Sequence, residues 1–350
     1  MNEASMVKWR FAPAARRLAV IAAVFTLMGA AFVLWRIHLH RPEWMSAGKF
    51  PEQLVYVRTR DDILEGGAIF TAPKDSARPV AIILIHGWGV NFYQPTYVAI
   101  GRGLAERGYT SIAGNTRMHD LGNVEAWRGD KRIRGGGYWG VTSEEVRDLA
   151  AWVDFAEERG FKRVILVGHS AGAAAVRIYA AEKQDPRVVG MVLASGGIGA
   201  AGPQDPDQLA QATRLVAQGE GEALVRDPKR SFPSYISAAT MLDMANTPPE
   251  IKDFFGVQTA TTNPALTRIR CRLLAFYGTW GDVGGKKELE LLKSCIRRQP
   301  SGPARLDTAM IQHADHMYAG EEGQVAETIA KWADTLLQVE PPKSDTSARR

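Results

Sequence analysis

A serine between two glycines, in the run Gly168-His-Ser-Ala-Gly172, is the side chain of this 350-residue sequence best placed for covalent chemistry. The apolar run Val164–Val167 precedes it, and small residues over 173–181 follow it. A strand, a sharp turn and a helix in this order expose the serine hydroxyl at the edge of a sheet and direct the helix N-terminus at developing negative charge. The sequence therefore predicts that Ser170 is a nucleophile.

A second glycine-containing turn, His86-Gly-Trp-Gly89, follows the apolar residues 80–85. Small residues let the backbone approach a substrate carbonyl, and paired N–H groups stabilise the oxyanion that forms on nucleophilic attack. We therefore predict an oxyanion hole made of the backbone N–H groups of Trp88 and of Ala171, the residue after the nucleophile. His86 comes before this turn, which favours a role in stabilising the turn over a role as a base.

Short apolar runs alternate along the chain with segments of helical spacing. Residues 53–59 and 63–70 predict an antiparallel pair of strands, and later runs predict strands at 80–85, 110–113, 163–167, 188–194 and 272–277. Between them, residues 142–159 have helical spacing, and Thr142 with Glu145 predicts a capping box at the start. This alternation indicates the α/β class, with a mostly parallel sheet flanked by helices.

One long segment, residues 198–268, interrupts the alternation. It contains prolines and helical patches around 209–225 and 235–245, and it falls between two predicted strands. We interpret it as a helical cap inserted into the sheet domain. A last helix, with Val325, Ile329 and Leu336 on one face, closes the domain, and the Pro- and Ser-containing residues 339–350 predict a disordered tail.

With the strand–turn–helix around Ser170 and the glycine turn at Trp88, the chain resembles the α/β-hydrolase superfamily, in its serine esterase and serine aminopeptidase-like branch. The resemblance covers residues 53–338. It implies a catalytic triad in the chain order serine, acid, histidine. In such proteins the acid commonly follows the strand after the cap, where this sequence has Asp282 just beyond Leu273–Tyr277. Poorer matches for the acid are Glu288, Glu290 and Asp307.

The resemblance also implies the position of the base. The run His313-Ala-Asp-His-Met-Tyr318 is similar to the G-A-D-H-x-[FY] ending of several esterase and peptidase branches, and His316 matches the family histidine. His313 is the alternative base, at a position where many members carry glycine. Asp315 is expected to hold the loop, because adjacent residues do not readily align their side chains with each other.

The N-terminal residues predict a membrane anchor. Residues 18–35 contain Thr26 as their one polar side chain, and a helix over 18–37 would approach the ~30 Å thickness of a hydrocarbon core. A cleaved signal peptide is the alternative. We predict a cytoplasmic segment over 1–17, a linker over 38–52 and a single-pass protein of the bacterial inner membrane whose catalytic domain faces the periplasm. Cys271 and Cys295 are expected to be unpaired and packed as small apolar groups, with a disulfide in an oxidising compartment as the alternative.

Composition excludes several other classes of protein. Residues 1–49 hold seven basic and two acidic residues, whereas residues 50–339 hold 33 basic and 34 acidic ones, so the charge of +5 gives no sign of nucleic-acid binding. No nucleotide-binding or metalloprotease motif is present, and we expect neither a cofactor nor a metal.

A basic stretch from Arg128 to Arg134 predicts a solvent-exposed loop, with recognition of an acidic substrate or lipid headgroup as the alternative.

The function that these residues predict is hydrolysis of a carboxylic ester through an acyl-enzyme, by Ser170, His316 and Asp282. The partner is then a small-molecule ester or amide. Cleavage of amides or peptides is the nearest alternative, because the same triad performs both reactions. A binding module without catalysis is the alternative of a different class. Neither the acyl group, the leaving group nor the oligomeric state follows from the sequence.

Overall fold

The structure of the protein is a computed structural model that describes residues 13–39, 48–199, 205–226, 235–258 and 260–338. It divides into an N-terminal unit, residues 1–43, and a second unit, residues 44–350. Each unit is treated by itself below. The predicted tail, residues 339–350, lies outside the described residues, as do 1–12 and 40–47 of the predicted N-terminal segment and linker.

The N-terminal unit contains helix α1, Pro13–Leu39. Its side chains are described at Leu18 and over 20–35, where the large apolar ones are exposed; Phe25 and Leu27 are 70% and 68% exposed. Within the part of the chain that the structure describes, no helix is both long enough and apolar enough to cross a membrane. The predicted anchor over 18–37 is thus not supported by the described residues.

The strands of the second unit form one large sheet and two small ribbons. In chain order they are β1 (Glu52–Arg58), β2 (Leu64–Phe70), β3 (Ala81–Ile85), β4 (Ser111–Gly114), β5 (Asn123–Arg128), β6 (Lys131–Gly135), β7 (Val164–His169), β8 (Val188–Ala194), β9 (Leu224–Arg226), β10 (Tyr235–Ser237), β11 (Arg272–Gly278) and β12 (Leu306–Ile311). Among the described residues, eight of them make a sheet in the order β1-β2-β4-β3-β7-β8-β11-β12. β1 pairs antiparallel with β2 and β2 with β4, and all later neighbours are parallel. The predicted strands are confirmed to within two residues at each end.

Helices cover both faces of this sheet, and further helices lie in the segment between β8 and β11. In chain order they are α2 (Pro95–Glu106), α3 (Glu145–Glu158), α4 (Ala171–Lys183), α5 (Pro206–Ala217), α6 (Ala238–Asn246), α7 (Pro249–Lys252), α8 (Lys286–Arg298) and α9 (Glu322–Leu337). Alternate residues of β3 point to opposite faces: Ile83 packs in a core with α3, α4 and α8, whereas Leu84 packs in a core with α2 and α9. This arrangement confirms the predicted α/β class, with a mostly parallel sheet between helices.

The start of α3 differs from the prediction. A short 3₁₀ helix, Thr142–Glu144, precedes it, and Glu144 caps α3 without a side-chain hydrogen bond. The predicted capping box is wrong, because Glu145 is buried and its Oε1 accepts a hydrogen bond from the Thr116 hydroxyl at 2.9 Å. A contact with a residue distant in sequence thus replaces the local cap.

The segment between β8 and β11 contains α5, α6 and α7 together with the antiparallel ribbon of β9 and β10. The first predicted helical patch, 209–225, is therefore too long: α5 ends at Ala217 and residues 224–226 are a strand. The cap has a small core of its own, in which Ala212, Val225 and Met241 are fully or almost fully buried. It is attached to the sheet domain by hydrogen bonds such as Ser237 N–H to the Tyr138 carbonyl at 2.7 Å.

The basic stretch is an antiparallel hairpin of β5 and β6 and not the predicted loop. Two of its arginines stack on aromatic rings, Arg132 over Trp127 and Arg134 over Trp139, with guanidinium-to-centroid distances of 5.4 and 5.3 Å. Arg128 forms ion pairs with Asp61 and with Glu144. Stacking on aromatic rings and ion pairs therefore order a segment whose charge alone predicted an exposed loop.

Candidate active site

The chain reverses sharply between β7 and α4, at Ser170. The serine has φ 54° and ψ −116°, a conformation that non-glycine residues rarely adopt. Both flanking glycines are required by close backbone contacts. A Cβ at Gly168 would lie 2.2 Å from the Gly172 carbonyl oxygen, and a Cβ at Gly172 would lie 2.4 Å from the His86 carbonyl oxygen. The glycines thus let α4 start directly against β7 and β3, which leaves the strained serine at the tip of the turn.

His316 and Asp282 lie beside this serine, although both are more than 100 residues away from it in the sequence. The Ser170 hydroxyl lies 3.1 Å from Nε2 of His316, and Nδ1 of His316 lies 2.8 Å from Oδ1 of Asp282. Because Nδ1 faces a carboxylate, it carries the ring proton and donates it. Nε2 is then an acceptor for the serine O–H. The three residues therefore form one chain of hydrogen bonds.

The side chain of Asp282 is completely buried and is surrounded by donors. Oδ1 accepts from His316 and from the Val283 N–H at 2.6 Å, and Oδ2 accepts from the Gly278 N–H at 2.7 Å and from the Ser195 hydroxyl at 2.5 Å. Burial raises the pKa of this carboxyl, but the hydrogen bonds from these four residues more than offset it, so the pKa lies below its usual value. The carboxylate is thus held ionised and in a fixed orientation.

Ser195 and Tyr318 did not emerge from the sequence as site residues. Ser195 directly follows β8, and its hydroxyl lies 2.5 Å from the Tyr318 hydroxyl as well as next to Asp282. One signal could have found Ser195: parallel strands end at the same edge of a sheet, so a hydroxyl residue just after a strand falls close to the catalytic turn. Tyr318 belongs to the same ending as His316, yet its sequence position does not indicate a buried hydroxyl.

The turn after β3 lies against the nucleophile, as the predicted oxyanion hole requires. A Cβ at Gly87 would lie 3.2 Å from the Ser170 Cβ. The Trp88 side chain is tied back by its Nε1–H, which donates to the Gly137 carbonyl at 3.0 Å. Ala171 is the first residue of α4, where backbone N–H groups have no partner within their own helix. Ala171 and the turn that carries Trp88 therefore adjoin Ser170.

Two further histidines support these turns. His169 is buried; its Nδ1 accepts from the Tyr97 hydroxyl at 2.7 Å, and its Nε2–H donates to the His316 carbonyl at 2.8 Å. The Tyr97 hydroxyl also accepts from the Gly87 N–H at 2.9 Å. His86 donates to the Gly87 carbonyl at 2.7 Å and accepts from the Thr116 N–H at 3.1 Å. Burial lowers the pKa of each histidine to about 4, so both are neutral at pH 7.

The residues that the sequence offered as alternative base and alternative acids do not take part in this chain of hydrogen bonds. The His313 side chain is exposed, and its backbone N–H donates to the Thr279 hydroxyl at 2.8 Å. Asp315 accepts from the N–H groups of Met317 and Ala319, which holds the loop around His316. The three alternative acids bind other partners: Glu288 the Gly285 N–H, Glu290 the Lys293 ammonium, and Asp307 the side chains of Arg272, Arg305 and Trp332.

Neither a metal cluster nor a disulfide is found in the described part of the chain. No group of three or more His, Cys, Asp or Glu side chains there could hold a metal ion. Cys271 and Cys295 are both free thiols. Burial raises the pKa of Cys271 to about 11 and that of Cys295 above its usual value, which disfavours the reactive thiolate form of both.

The sheet, the strained serine turn and the three-residue chain of hydrogen bonds define a class of protein, and sequence comparison gives the same class. Residues 80–266 match the model of the family described by the alpha/beta hydrolase fold. The chain belongs to the α/β-hydrolase family, which places the protein among the hydrolases. No curated protein matches the sequence significantly.

Solved structures with the same fold are numerous and distant in sequence. Est1E from Butyrivibrio proteoclasticus with bound ferulic acid is 15% identical, with a TM-score of 0.54 over 81% of this chain and 99% of that one. DcsB in complex with its substrate analogue is 14% identical, with a TM-score of 0.60 over 83% and 100%. The esterase domain of a Rhodothermus marinus protein is 17% identical, with a TM-score of 0.51 over 82% and 99%. At these identities the likeness shows the fold.

Proposed function

We propose that the protein is a serine hydrolase that cleaves carboxylic esters, with Ser170 as nucleophile, His316 as general base and Asp282 as the residue that orients the base. The observation that carries this proposal is the continuous chain from the Ser170 hydroxyl through His316 to Asp282, with distances of 3.1 and 2.8 Å. A serine on a strained turn, within hydrogen-bond reach of an oriented imidazole, is the arrangement that makes a hydroxyl nucleophilic.

The first half of the reaction forms an acyl-enzyme. The Ser170 Oγ attacks the ester carbonyl carbon while its proton moves to Nε2 of His316, and the carbonyl π electrons move onto oxygen. The N–H groups of Trp88 and Ala171 stabilise this oxyanion, and one such donor contributes roughly 3 kcal/mol to transition-state stabilisation. Collapse of the intermediate breaks the bond to the leaving alcohol, which takes the proton from His316.

The second half returns the free enzyme. A water molecule gives a proton to Nε2 of His316 and attacks the acyl carbon, and the tetrahedral intermediate collapses to release the carboxylic acid and re-protonate Ser170. Throughout, the ionised Asp282 stabilises the transient positive charge on the imidazole. The route consumes one water per ester and requires no cofactor.

Aromatic rings form a surface next to the oxyanion turn. Trp88 packs edge-on against Tyr138 at 5.8 Å between ring centroids, and Tyr138 packs against Trp139 at the same distance. Such an aromatic surface suits the apolar part of an acyl or alkoxy group. Amide or peptide cleavage remains the second candidate. A binding module would need none of the three aligned side chains.

Hydrolysis of p-nitrophenyl esters of graded chain length, compared with aminoacyl p-nitroanilides, tests this function. We expect turnover of the esters to exceed that of the anilides and Ser170→Ala to lose ester turnover while its melting temperature stays close to that of the wild type. Anilide turnover above ester turnover would establish the amide candidate. A Ser170→Ala variant that still hydrolyses esters at the wild-type rate would contradict the proposed nucleophile.

We further propose that the N-terminal unit attaches the enzyme to the bacterial inner membrane, with the catalytic unit in the periplasm. Support comes from the exposed apolar side chains of α1 and from Arg16 and Arg17 just before them in the sequence. A C-terminal alkaline phosphatase fusion should be active in cells, and the protein should stay in the membrane fraction after carbonate extraction. An inactive fusion, or release by carbonate, would contradict this location.

A further inference from the structure

Behind the buried face of Asp282, away from His316, lie two hydroxyl groups that the reaction itself does not use. The Ser195 hydroxyl is 2.5 Å from Oδ2 of Asp282 and 2.5 Å from the Tyr318 hydroxyl. Both residues are almost completely buried, at 1% exposure. We infer that Ser195 and Tyr318 are positioning residues, which act through Asp282 to hold His316 in line with Ser170. This inference rests on the proposed function.

The direction of the two hydrogen bonds follows from the chemistry of the groups. An ionised carboxylate accepts only, so the Ser195 O–H donates to Oδ2 of Asp282. Because its proton is used there, the Ser195 oxygen accepts from the Tyr318 O–H. Tyr318 thereby fixes the rotation of the serine hydroxyl, and the pair behaves as a single donor aimed at Asp282.

This donor determines which carboxylate oxygen faces the base. Oδ2 is occupied by Ser195 and by the Gly278 N–H, while Oδ1 accepts from the Val283 N–H and from His316. If the Ser195 hydroxyl is removed, Oδ2 keeps one donor and the carboxylate gains freedom to rotate. His316 then spends less time in the orientation that accepts the Ser170 proton.

The backbone conformation of Ser195 and Tyr318 indicates that the positions of their hydroxyl groups matter. Ser195 has φ 50° and Tyr318 has φ 56°, and non-glycine residues adopt such angles at an energetic cost. The Ser195 N–H donates to the Phe276 carbonyl at 2.9 Å, which ties the end of β8 to the neighbouring β11. The costly backbone angles therefore place the two hydroxyls directly behind the residue that orients the base.

Hydrogen bonds stabilise the charge of the Asp282 carboxylate. Three buried titratable groups that lie near Asp282 are neutral: burial lowers the pKa of His169 to about 4 and raises the phenol pKa values of Tyr277 and Tyr318. The hydrogen bonds that lower the pKa of Asp282 come from His316, Ser195, Gly278 and Val283. Of these donors other than the base itself, the Ser195 hydroxyl alone belongs to a side chain.

The test measures ester hydrolysis by Ser195→Ala and Tyr318→Phe in the full chain. Each has a matched control that removes a buried hydroxyl elsewhere: Ser111→Ala, whose hydroxyl donates to the Gly101 carbonyl at 3.1 Å, and Tyr179→Phe, whose hydroxyl donates to Asp185 at 2.8 Å. Rates are expressed per active site by titration with a fluorophosphonate. A role confined to folding reduces the number of titrated sites and not the rate at each.

We expect kcat per titrated site to fall about fivefold in Ser195→Ala and about threefold in Tyr318→Phe, with KM unchanged. The first loss is larger because Ser195 donates directly to the ionised Asp282, whereas Tyr318 donates to the Ser195 hydroxyl. The fluorophosphonate inactivation rate should fall by the same factors, and both controls should match the wild type. The inference is overturned if both site variants match their controls, or if KM alone changes. Should Ser195→Ala not fold, Tyr318→Phe decides alone. A wild-type protein that hydrolyses no ester would instead contradict the proposed function.

Discussion

Buried carboxyl groups occur at two places along the same edge of the sheet. The first group is Asp282 alone, and the second comprises Glu65, Glu145 and Asp148. The two groups differ in their charge. Asp282, after β11, accepts four hydrogen bonds, and its pKa lies below the usual value. Glu65 at the start of β2 and Glu145 at the start of α3 are also buried, at 1% and 6% exposure. Burial and the negative charge of Asp148 raise the pKa of Glu145 to about 8 and that of Glu65 well above its usual range. Burial alone therefore does not determine the charge of a carboxyl group in this protein.

The second group is built around one buried arginine. Arg117 donates to Asp148 through Nε, Nη2 and its backbone N–H, at 3.0, 2.8 and 2.9 Å, and it also pairs with Asp61 and Glu144. Glu145 receives one hydrogen bond, from Thr116, and within the described residues Oε2 of Glu65 receives none. The donors of Arg117 thus bind Asp148, Asp61 and Glu144, and the carboxyl groups of Glu65 and Glu145 have raised pKa values.

The difference separates a carboxylate that serves the reaction from carboxyl groups that serve the fold. At Asp282 the donors come from a tight turn after β11 and from the Ser195–Tyr318 pair, and one oxygen remains directed at a histidine. Around Arg117 the carboxyl groups surround a cation that joins β4, α3 and the turn before β2. We therefore expect the same chemical change to reduce turnover at the first group and stability at the second.

The largest effect is expected from Asp282→Asn, compared with Asp148→Asn. The amide at residue 282 no longer selects the productive imidazole tautomer, so kcat should fall by on the order of 10³ to 10⁴-fold with little change in melting temperature. The same substitution at residue 148 leaves Arg117 short of a buried partner and should cost about 3 kcal/mol of stability, with kcat per titrated site unchanged.

Thermal denaturation and active-site-titrated kinetics of the two variants check this pair. The comparison fails if Asp148→Asn reduces kcat per site as much as Asp282→Asn does. It also fails if Asp282→Asn retains more than a tenth of wild-type kcat.

A smaller effect concerns the pH dependence of stability. Between its unfolded pKa near 4.5 and its folded pKa of about 8, Glu145 keeps a proton in the folded state that the unfolded chain has released. Stability should therefore decrease as pH rises through this range, by roughly 1.4 kcal/mol per pH unit from this group. Glu145→Gln, whose amide oxygen can still accept from Thr116, should remove that part of the slope.

Urea denaturation of the wild type and of Glu145→Gln at pH 5.5 and pH 7.5 measures the effect. The variant should lose less stability than the wild type between the two pH values. Equal losses would mean that the folded protein does not hold a proton on Glu145, and the contrast with Asp282 would disappear.

The smallest effect is expected at the alternative base. His313 is exposed and has φ 60°, a conformation that glycine adopts without strain. His313→Gly should change stability by no more than about 1 kcal/mol, and its kcat should stay within about twofold of the wild type. His316→Ala is the matched change in the same loop and should lose nearly all turnover. The reverse ranking, measured with one ester substrate, would mean that the base is three residues away from its proposed position.

The parts of the site that local sequence could predict are those fixed by local geometry. The glycines around Ser170 and Trp88 predicted tight turns after apolar strands, and both turns are present. Asp282 was predicted from the family resemblance, because it comes after a recognisable strand and at the place in the chain order where the family has its acid. In each case the signal is contained in about ten neighbouring residues, because a strand end and its turn are determined there.

The parts that sequence could not predict depend on contacts between distant segments. Glu145 looks like a helix-capping residue in isolation, yet it bonds to Thr116 and is buried. The basic hairpin looks like an exposed loop until its arginines are seen against Trp127 and Trp139. The Tyr318–Ser195 pair joins residues 123 positions apart. Burial and pairing of this kind depend on the packing of the whole domain and leave no periodic pattern.

Peptide mapping after fluorophosphonate treatment tests the central claim most directly. The wild-type protein and Ser170→Ala are each treated with the reagent, digested and analysed by mass spectrometry, with Ser195→Ala as a control that retains the nucleophile. We predict one phosphonylated peptide in the wild type, modified on Ser170, the same adduct formed more slowly in Ser195→Ala, and no adduct in Ser170→Ala. An unmodified Ser170 in folded wild-type protein, or an adduct on another residue, would contradict the account.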